Sequence, residues 1–413
     1  MREENQPNFL MMPSMDKTIP VLCSDTECTG CSACANSCNF NAISIIQNEE
    51  GFYRPSIDAS RCTGCHNCER RCPILHPLNT DKSIAKVYAA WHKDENIRIH
   101  STSGGAFSAL AETIISEGGI VAGAAYTDNM MVRHICISSS DELHKLRLSK
   151  YVQSEIGFIF KEIKSYLVKG QKVLFSGTPC QVAGLKAFLA KDYDNLYCCD
   201  FICHGVPSAL MLEKYLQWLQ QHTGKINHIN FRDKRKGWYD SLRVVTKDGG
   251  KQKILRGNKD AYWVGFNNHD NNLQLSCYNC HYLGLNRNSD ITIADFWGIG
   301  KDKPFGHKDD IEKGVSMVMA NNRKGQNLID LSKLRMETVE RNVEEAVKSN
   351  QSILHSSPKP ASRDNFYKDI NSITFDEMIK RHLTPSFKTK LVKIMREYVP
   401  FCIIKQIRMK NQH

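Results

Sequence analysis

From about residue 86 the apolar positions come in short runs, each followed by a stretch with apolar residues at helical spacing. Residues 87–91 read as a strand, and Ser103-Gly104-Gly105 then opens a helix that runs to about 115 and closes at Gly118-Gly119. Strands follow at 120–126 and 132–138, then a helix at 155–168 and an apolar strand at 173–175. After the turn Ser176-Gly177-Thr178-Pro179 a helix reaches about 190. The strand 196–202 ends at Cys203-His204-Gly205-Val206-Pro207, and a helix starts from Ser208. This alternation predicts a large α/β domain on a mainly parallel sheet. Beyond about 225 the pattern turns β-rich. Segments 226–231, 242–246 and 253–255, with a Lys247-Asp248-Gly249-Gly250 turn, and strands at 290–295 and 315–320 predict a β-rich extension.

The chain before this domain is organised differently. Residues up to about 20 read as a loose leader, and 21–78 as a ferredoxin-like α+β module in two similar halves, each opened by Cys-Thr-Gly-Cys, at Cys28 and at Cys62. Ala42-Ile43-Ser44-Ile45-Ile46 and Gly51-Phe52-Tyr53-Arg54-Pro55 predict a hairpin with its turn at 48–51. The expected domains are 21–78, an α/β region at 85–215, a second region at 216–335 and a basic tail at 380–413.

Cysteine spacing supplies the chemistry. Cys28-x2-Cys31-x2-Cys34-x3-Cys38 and Cys62-x2-Cys65-x2-Cys68-x3-Cys72-Pro73 have the spacing of a bacterial ferredoxin with two [4Fe–4S] clusters, in which the fourth cysteine of each quartet ligates the other cluster. The crossing assigns Cys28, Cys31, Cys34 and Cys72 to one cluster, and Cys62, Cys65, Cys68 and Cys38 to its neighbour. Paired C-x2-C also binds zinc, but a zinc site has no use for the repeat followed by x3-Cys.

Four further cysteines stand out. Cys180 sits behind Pro179 at a strand-to-helix turn, where the helix N-terminus is expected to lower its pKa and favour thiolate. Cys203 ends the next strand. If the two strands are parallel neighbours, both cysteines lie on the carboxyl rim where α/β sheets bind ligands. Cys277 and Cys280 form a lone C-x2-C. Together the four would make the all-cysteine ligand set of a third [4Fe–4S] cluster. On spacing alone, zinc at Cys277 and Cys280, or buried thiols, stay open. Cys23, Cys136, Cys198, Cys199 and Cys402 lack such context and read as structural.

Composition narrows the setting. The 413 residues, 41% hydrophobic and 24% charged, suffice for a cluster module and a substantial globular part. Met1-Arg2-Glu3-Glu4-Asn5 carries acids where a signal peptide needs a basic region, and no apolar run approaches bilayer length. A cytoplasmic protein is expected, its 17 cysteines serving as thiolates and metal ligands rather than disulfides. The formal charge of +11 is partly concentrated from Lys380 onward, where Leu383, Phe387, Leu391, Ile394, Met395 and Tyr398 recur at helical intervals. The tail reads either as a helix packed on the body or as a basic amphipathic helix making peripheral membrane contact or docking on an acidic partner. No nucleic-acid recognition motif accompanies the charge, and no nucleic-acid partner is expected.

Several motifs, in order over about 85–320, resemble one family. They are Ser103-Gly104-Gly105-Ala106-Phe107, Ser149-Lys150-Tyr151-Val152-Gln153-Ser154, Phe175-Ser176-Gly177-Thr178-Pro179-Cys180-Gln181 and Cys203-His204-Gly205-Val206-Pro207-Ser208. Phe231-Arg232-Asp233-Lys234, Ser276-Cys277-Tyr278-Asn279-Cys280 and Ser289-Asp290-Ile291-Thr292-Ile293-Ala294-Asp295-Phe296-Trp297-Gly298 complete the match. This pattern resembles the beta subunits of coenzyme F420 hydrogenases and dehydrogenases. The resemblance implies FAD with a [4Fe–4S] cluster beside it. It favours the third cluster at Cys180, Cys203, Cys277 and Cys280, and places FAD near Ser103, Gly104, Gly105, Lys150 and Thr178. A glycine-rich helix start offers backbone N–H groups to anions, and a lysine suits a phosphate or the flavin. Without the resemblance, Ser-Gly-Gly reads as a helix cap and Lys150 as a solvated charge. No G-x-G-x-x-G is present to support a Rossmann site. Two features depart from the family pattern: Leu273-Gln274-Leu275 precedes Ser276 where an arginine is common, and the basic tail lies outside the shared region.

The implied function is an iron–sulfur flavoprotein oxidoreductase passing electrons between coenzyme F420, through FAD, and a ferredoxin-like protein or other oxidoreductase subunit. The alternatives are a ferredoxin-dependent reductase of a small metabolite, as in glycan or cofactor biosynthesis, and an electron-carrier subunit with no substrate. His204 reads as a proton donor near the flavin or as a structural strand-end histidine. No catalytic residue is assigned.

Overall fold

Val173-Leu174-Phe175 is fully buried, as a strand covered on both faces must be, and it lies inside the sheet that organises the protein. The computed structural model describes residues 18–79, 86–239, 242–256 and 260–384. In chain order the strands are β1 (Ile43–Gln47), β2 (Tyr53–Ile57), β3 (Lys86–His92), β4 (Ile120–Tyr126), β5 (Val132–Ile137), β6 (Val173–Gly177) and β7 (Leu196–Phe201). β8 (Ile226–Asp233), β9 (Leu242–Lys247), β10 (Gln252–Arg256), β11 (Ile291–Asp295), β12 (Ser316–Ala320) and β13 (Met336–Arg341) follow.

Eight strands form one sheet in the order β13-β3-β12-β11-β7-β6-β4-β5. β11, β7, β6 and β4 are parallel, while β5, β12, β3 and β13 join antiparallel. The α/β expectation holds, but the mainly parallel sheet is corrected to a mixed one. β5 returns on β4 through a short turn, which permits only antiparallel pairing. β3 is held between β12 and β13 and does not extend the parallel set. β11 and β12, read above as part of the extension, lie within this sheet. The extension is the separate antiparallel sheet β10-β9-β8.

The helices Ala106–Ser116 and Arg323–Ser332 cover one face, where Ala106, Ala109 and Ala111 allow close approach to Tyr88, Val121, Leu174 and Val318. The helices Ile159–Val168 and Pro179–Leu189 cover the other, with Phe160, Ile163, Val182 and Leu185 on Ala122, Val173 and Phe175. β3 shows the strand period directly: Tyr88 and Ala90 join the first core, Val87, Ala89 and Trp91 a separate one with Phe296, Phe305 and Met317.

In the N-terminal module β1 and β2 pair antiparallel, and the Asn48–Gly51 turn is closed by Gly51 N–H on the Asn48 carbonyl at 2.8 Å. Of the basic tail, the helix Phe375–His382 and the two residues after it are described. Leu383 is buried with Met378 against Phe366 and Tyr367. The rest of 380–413 and the leader up to 17 lie outside the described residues. Among the described residues no helix is long and apolar enough to cross a membrane.

Candidate functional site

The two cysteine quartets repeat in backbone as well as in spacing. Gly30 and Gly64 have φ of 68° and 70°, and Ser32 and His66 follow at 60° and 55°, so each Cys-Thr-Gly-Cys loop curls back in the left-handed region. N–H groups of these loops point at sulfur, Gly64 N to Cys62 Sγ at 3.4 Å and Ala42 N to Cys38 Sγ at 3.3 Å. Burial pushes the Cys34 thiol well up, and charge on Cys31, Cys28 and Cys72 pushes it further. Cys72, the expected crossed ligand, therefore lies by the first quartet, and Cys28, Cys31, Cys34 and Cys72 wall one small cavity. Cys23, read above as structural, also reaches this group, 3.8 Å from Cys72 Sγ. In the second set burial pushes Cys68 up to about 11, Cys38 packs beside Cys68, and Cys65 is exposed. Among the described residues no three His, Cys, Asp or Glu side chains close on a single metal ion. The hydroxyls of Ser32 and Ser37 are buried in the same loops without a protein partner. Iron–sulfur groups accept such hydrogen bonds, so the donor set and its surroundings fit them.

The module is fastened to the sheet domain by two glutamines. Gln153 accepts from Tyr53 N at 2.8 Å and donates to the Thr29 carbonyl at 3.4 Å and to Gln274 at 3.0 Å. Gln274 also accepts from Arg54 at 3.1 Å. Gly51, at φ 78°, abuts Leu210, whose Cβ lies 2.1 Å from where a Cβ on Gly51 would sit. Gly184 packs against Cys31 so closely that a Cβ there would lie 2.8 Å from Cys31 Cβ.

The other four cysteines converge from three loops. β6 and β7 are parallel neighbours, so Cys180 and Cys203 emerge on one carboxyl rim. Thr178 caps the helix Pro179–Leu189 in a capping box with Gln181 and places Cys180 in its first turn. Pro207 pairs with Leu273, and Gln274 N donates to the Val206 carbonyl at 2.9 Å, which zips the C-x2-C loop onto the end of β7. Gly205 leaves the room: a Cβ there would meet Cys277 Cβ at 3.3 Å. Burial raises Cys180, and Cys203, Cys280 and Cys31 raise it further; Cys203 is likewise raised by burial, then by Cys277 and Cys280. The lowering expected at Cys180 is not what the protein's own groups give: burial raises the thiol against the Thr178 hydroxyl at 3.0 Å, so a thiolate there would need a bound metal. Arg287 pins the loop from behind, ion-paired with buried Asp200 at 3.1 Å and donating to the Tyr282 carbonyl at 2.9 Å.

These cysteines line a cavity of about 660 Å³, within the range of small-molecule sites. Ser103, Gly105, Lys150 and Thr178 line it, together with Tyr151, Trp263, Phe266 and Trp297. Gly104 does not; its N–H bonds Ser316 Oγ at 2.9 Å, and a Cβ would strike the Ala90 carbonyl at 2.3 Å, so it serves close packing against β3. Ser103 donates to the Val315 carbonyl at 2.8 Å. Burial brings Lys150 down to about 7, and its Nζ donates to the Arg147 carbonyl at 2.8 Å. His204 is paired with Asp270 at 2.7 Å. Sequence reasoning missed Gln153, Gln274, Gly184, Arg287 and Tyr282. Gln153 and Gly205 lay inside quoted motifs, but nothing local marked their partners.

His134 organises the turn that carries Cys180. Its Nε2–H donates to the Ser176 carbonyl at 3.1 Å, its Nδ1 accepts from Ser154 at 2.8 Å, and Gln181 donates to Ser154 at 3.1 Å. Burial holds the imidazole down at about 4. The unfolded chain therefore binds a proton that the folded one refuses, and stability falls as pH drops from about 6.5 towards 4, by at most about 3 kcal/mol. Urea denaturation at pH 7 and pH 4.5 should show this loss, and His134→Gln should flatten it; equal slopes would remove His134 from the account.

Comparison with known proteins adds three findings. Models described as coenzyme F420 hydrogenase/dehydrogenase, beta subunit N-term and C terminus match residues 87–160 and 170–345, and a 4Fe-4S dicluster domain matches 27–74. One of the subunits of the F(420)H(2) dehydrogenase of Methanosarcina mazei is 23% identical over 246 residues, 54% of this chain and 65% of that protein. The methylamine utilization ferredoxin-type protein MauM of Methylobacillus flagellatus is 40% identical over 57 residues, 13% of this chain and 24% of that protein. The chain thus spans less than two thirds of either curated relative. A chain of the xenon-derivatised F420-reducing [NiFe] hydrogenase complex from Methanosarcina barkeri aligns with a TM-score of 0.43 at 18% identity, over 66% of this chain and 93% of that one.

Proposed function

The chain belongs to the family of coenzyme F420 hydrogenase/dehydrogenase beta subunits, with a 4Fe-4S domain that implies electron transfer, and from that premise we propose an iron–sulfur flavoprotein oxidoreductase. It would exchange electrons between coenzyme F420, through FAD, and a ferredoxin-like partner protein. The observation that carries this reading is the convergence of Cys180, Cys203, Cys277 and Cys280 on the wall of the large cavity, with Cys31 of the dicluster module packed against Gly184.

When bound, FAD supplies the conversion between hydride and single-electron chemistry, and clusters supply the single-electron steps. Ser103, Gly105, Lys150 and Thr178 would hold the flavin, and the three loops would hold a third cluster. Lys234 fixes the helix start by donating to the carbonyls of Ser103 at 2.5 Å and Arg98 at 2.6 Å. Tyr151, Trp263 and Phe266 pack edge to face or tilted and give that cavity an aromatic wall. Exposed Cys65 marks the face of the dicluster module suited to a protein partner.

The test is anaerobic reduction of the reconstituted protein by reduced coenzyme F420, NADH, NADPH and reduced ferredoxin in turn, followed by flavin and cluster bleaching. Rapid bleaching by the reduced deazaflavin, reversed by an oxidised ferredoxin, is expected. Bleaching by ferredoxin alone would replace this reading with a ferredoxin-fed reductase of a small metabolite.

A further inference from the structure

Around exposed Cys65 the dicluster module meets the sheet domain in a corner that carries cations. Arg70 donates to the Cys65 carbonyl at 3.0 Å, and Arg61 to the Phe40 carbonyl at 3.4 Å. Lys161, on the helix Ile159–Val168, lies 3.5 Å from the Cys38 carbonyl and 5.0 Å from the centre of the Phe158 ring. Phe40 and Phe158 stay 48% and 52% exposed. Two bonds fix the corner: Asn67 donates to the Ser37 carbonyl at 2.7 Å, and Asn36 to the Gly157 carbonyl at 2.8 Å. The charge there is uncommitted. Among the described residues Arg61, Arg70 and Lys161 contact backbone carbonyls and pair with no carboxylate. The neighbouring acids are engaged elsewhere: Asp58 accepts from the Ser60 hydroxyl at 2.6 Å, Glu69 bonds the Val21 N–H and the His66 ring, and Glu162 accepts from Tyr166 at 3.1 Å. Half-exposed aromatic rings beside free arginines have the composition of a protein interface.

We propose that this corner is the docking face for a small ferredoxin-type protein with acidic residues around its own cluster. The inference rests on the proposed electron exchange with a partner protein and does not require coenzyme F420 at the other end. A cluster held by thiolates is net negative, so two of them repel as they approach, and cations on the rim offset that repulsion. Arg61, Arg70 and Lys161 steer the encounter and set its register, while Phe40 and Phe158 supply the apolar contact. The step served is a single-electron exchange with the second set, one centre oxidised as the other is reduced, with no bond made or broken.

The test is calorimetric titration of the full-length, anaerobically reconstituted protein with an oxidised, acidic two-cluster ferredoxin, at about 50 mM and about 300 mM salt. Affinity should fall several-fold with salt. Arg61→Glu combined with Arg70→Glu should weaken binding about tenfold or more at the lower salt. Lys251→Glu combined with Lys253→Glu makes the same change in net charge at β10, in the other sheet, and should leave the affinity unaltered. Equal weakening by both pairs, or none by the arginine pair, overturns the face. Binding of an acidic flavodoxin with none of the ferredoxin overturns the occupant. Should the arginine pair lose iron, Lys161→Glu, which lies outside the quartets, decides. Weakening of about three- to tenfold at full iron content then supports the face, and unaltered affinity overturns it. Failure of reduced coenzyme F420 to bleach the protein would overturn the proposed function and would not enter this affinity.

Discussion

Cys180→Ser is expected to remove about four iron atoms per chain while leaving the dicluster signals in place. The cap and the capping box depend on Thr178 and Gln181, so the helix should keep its start and the fold should survive. Loss at Cys180 leaves Cys203, Cys277 and Cys280 as three ligands from two loops, one short of the set. Iron content by colorimetry and EPR of the dithionite-reduced protein check this. Full iron in the serine protein would end the third-cluster assignment and with it the proposed route from the large cavity to the dicluster module. Cys136→Ser is the control, since Cys136 lies in β5 away from the rim.

The second large effect is expected at Gly184. It lies in the second turn of the Cys180 helix, and the atoms that a Cβ would meet are Cys31 Cβ, Sγ and carbonyl at 2.8, 3.0 and 3.2 Å. None is the loose end of a flexible side chain, because Cys31 is fixed in its loop. Gly184→Val should cost about 1–3 kcal/mol by overpacking. It should also force the two cysteine sets apart, which slows electron exchange between them. A lower urea midpoint together with slower bleaching of the dicluster signals is the expected pair of results. Bleaching at the unaltered rate would show that the close approach has no part in electron transfer.

Much of this was legible in the sequence because the signals were local. The quartets, the β1–β2 hairpin, the apolar run of β6 and Pro179 behind Thr178 are all fixed by neighbours within a few residues. The sheet's antiparallel flanks were not. Nothing in Val87–Trp91 distinguishes a strand that continues a parallel set from one held between two later strands. β13 went unread because Met336-Glu337-Thr338-Val339-Glu340-Arg341 carries charge on an edge and looks like polar chain. The convergence of Cys180, Cys203, Cys277 and Cys280 depends on the parallel pairing of β6 with β7 and on the Pro207–Leu273 bridge, both long-range. The burial that raises the Cys180 thiol went unread for a related reason: a helix terminus is visible in sequence, whereas that burial is created by distant segments. The resemblance, not the residues alone, placed Gly104 near the flavin with Ser103 and Gly105; the room around it is set by β3 and Ser316.

The position of β3 has a consequence for synthesis. It leaves the ribosome early, yet both its neighbours, β12 and β13, begin only at Ser316 and Met336. Throughout translation of the intervening chain, β3 is an unpaired apolar strand, the kind of edge that recruits other chains. The cysteines of the dicluster module are already outside by then, whereas Cys277 and Cys280 follow only after β10. On the proposed ligation metal delivery would be staged: the dicluster module could be loaded on the nascent chain, and the rim cysteines only once β12 and β13 have closed the sheet. A growing chain stalled between β11 and β12 would hold every cysteine named at these sites and still lack the closed sheet that places them, which makes this stretch the one where a chaperone is most needed.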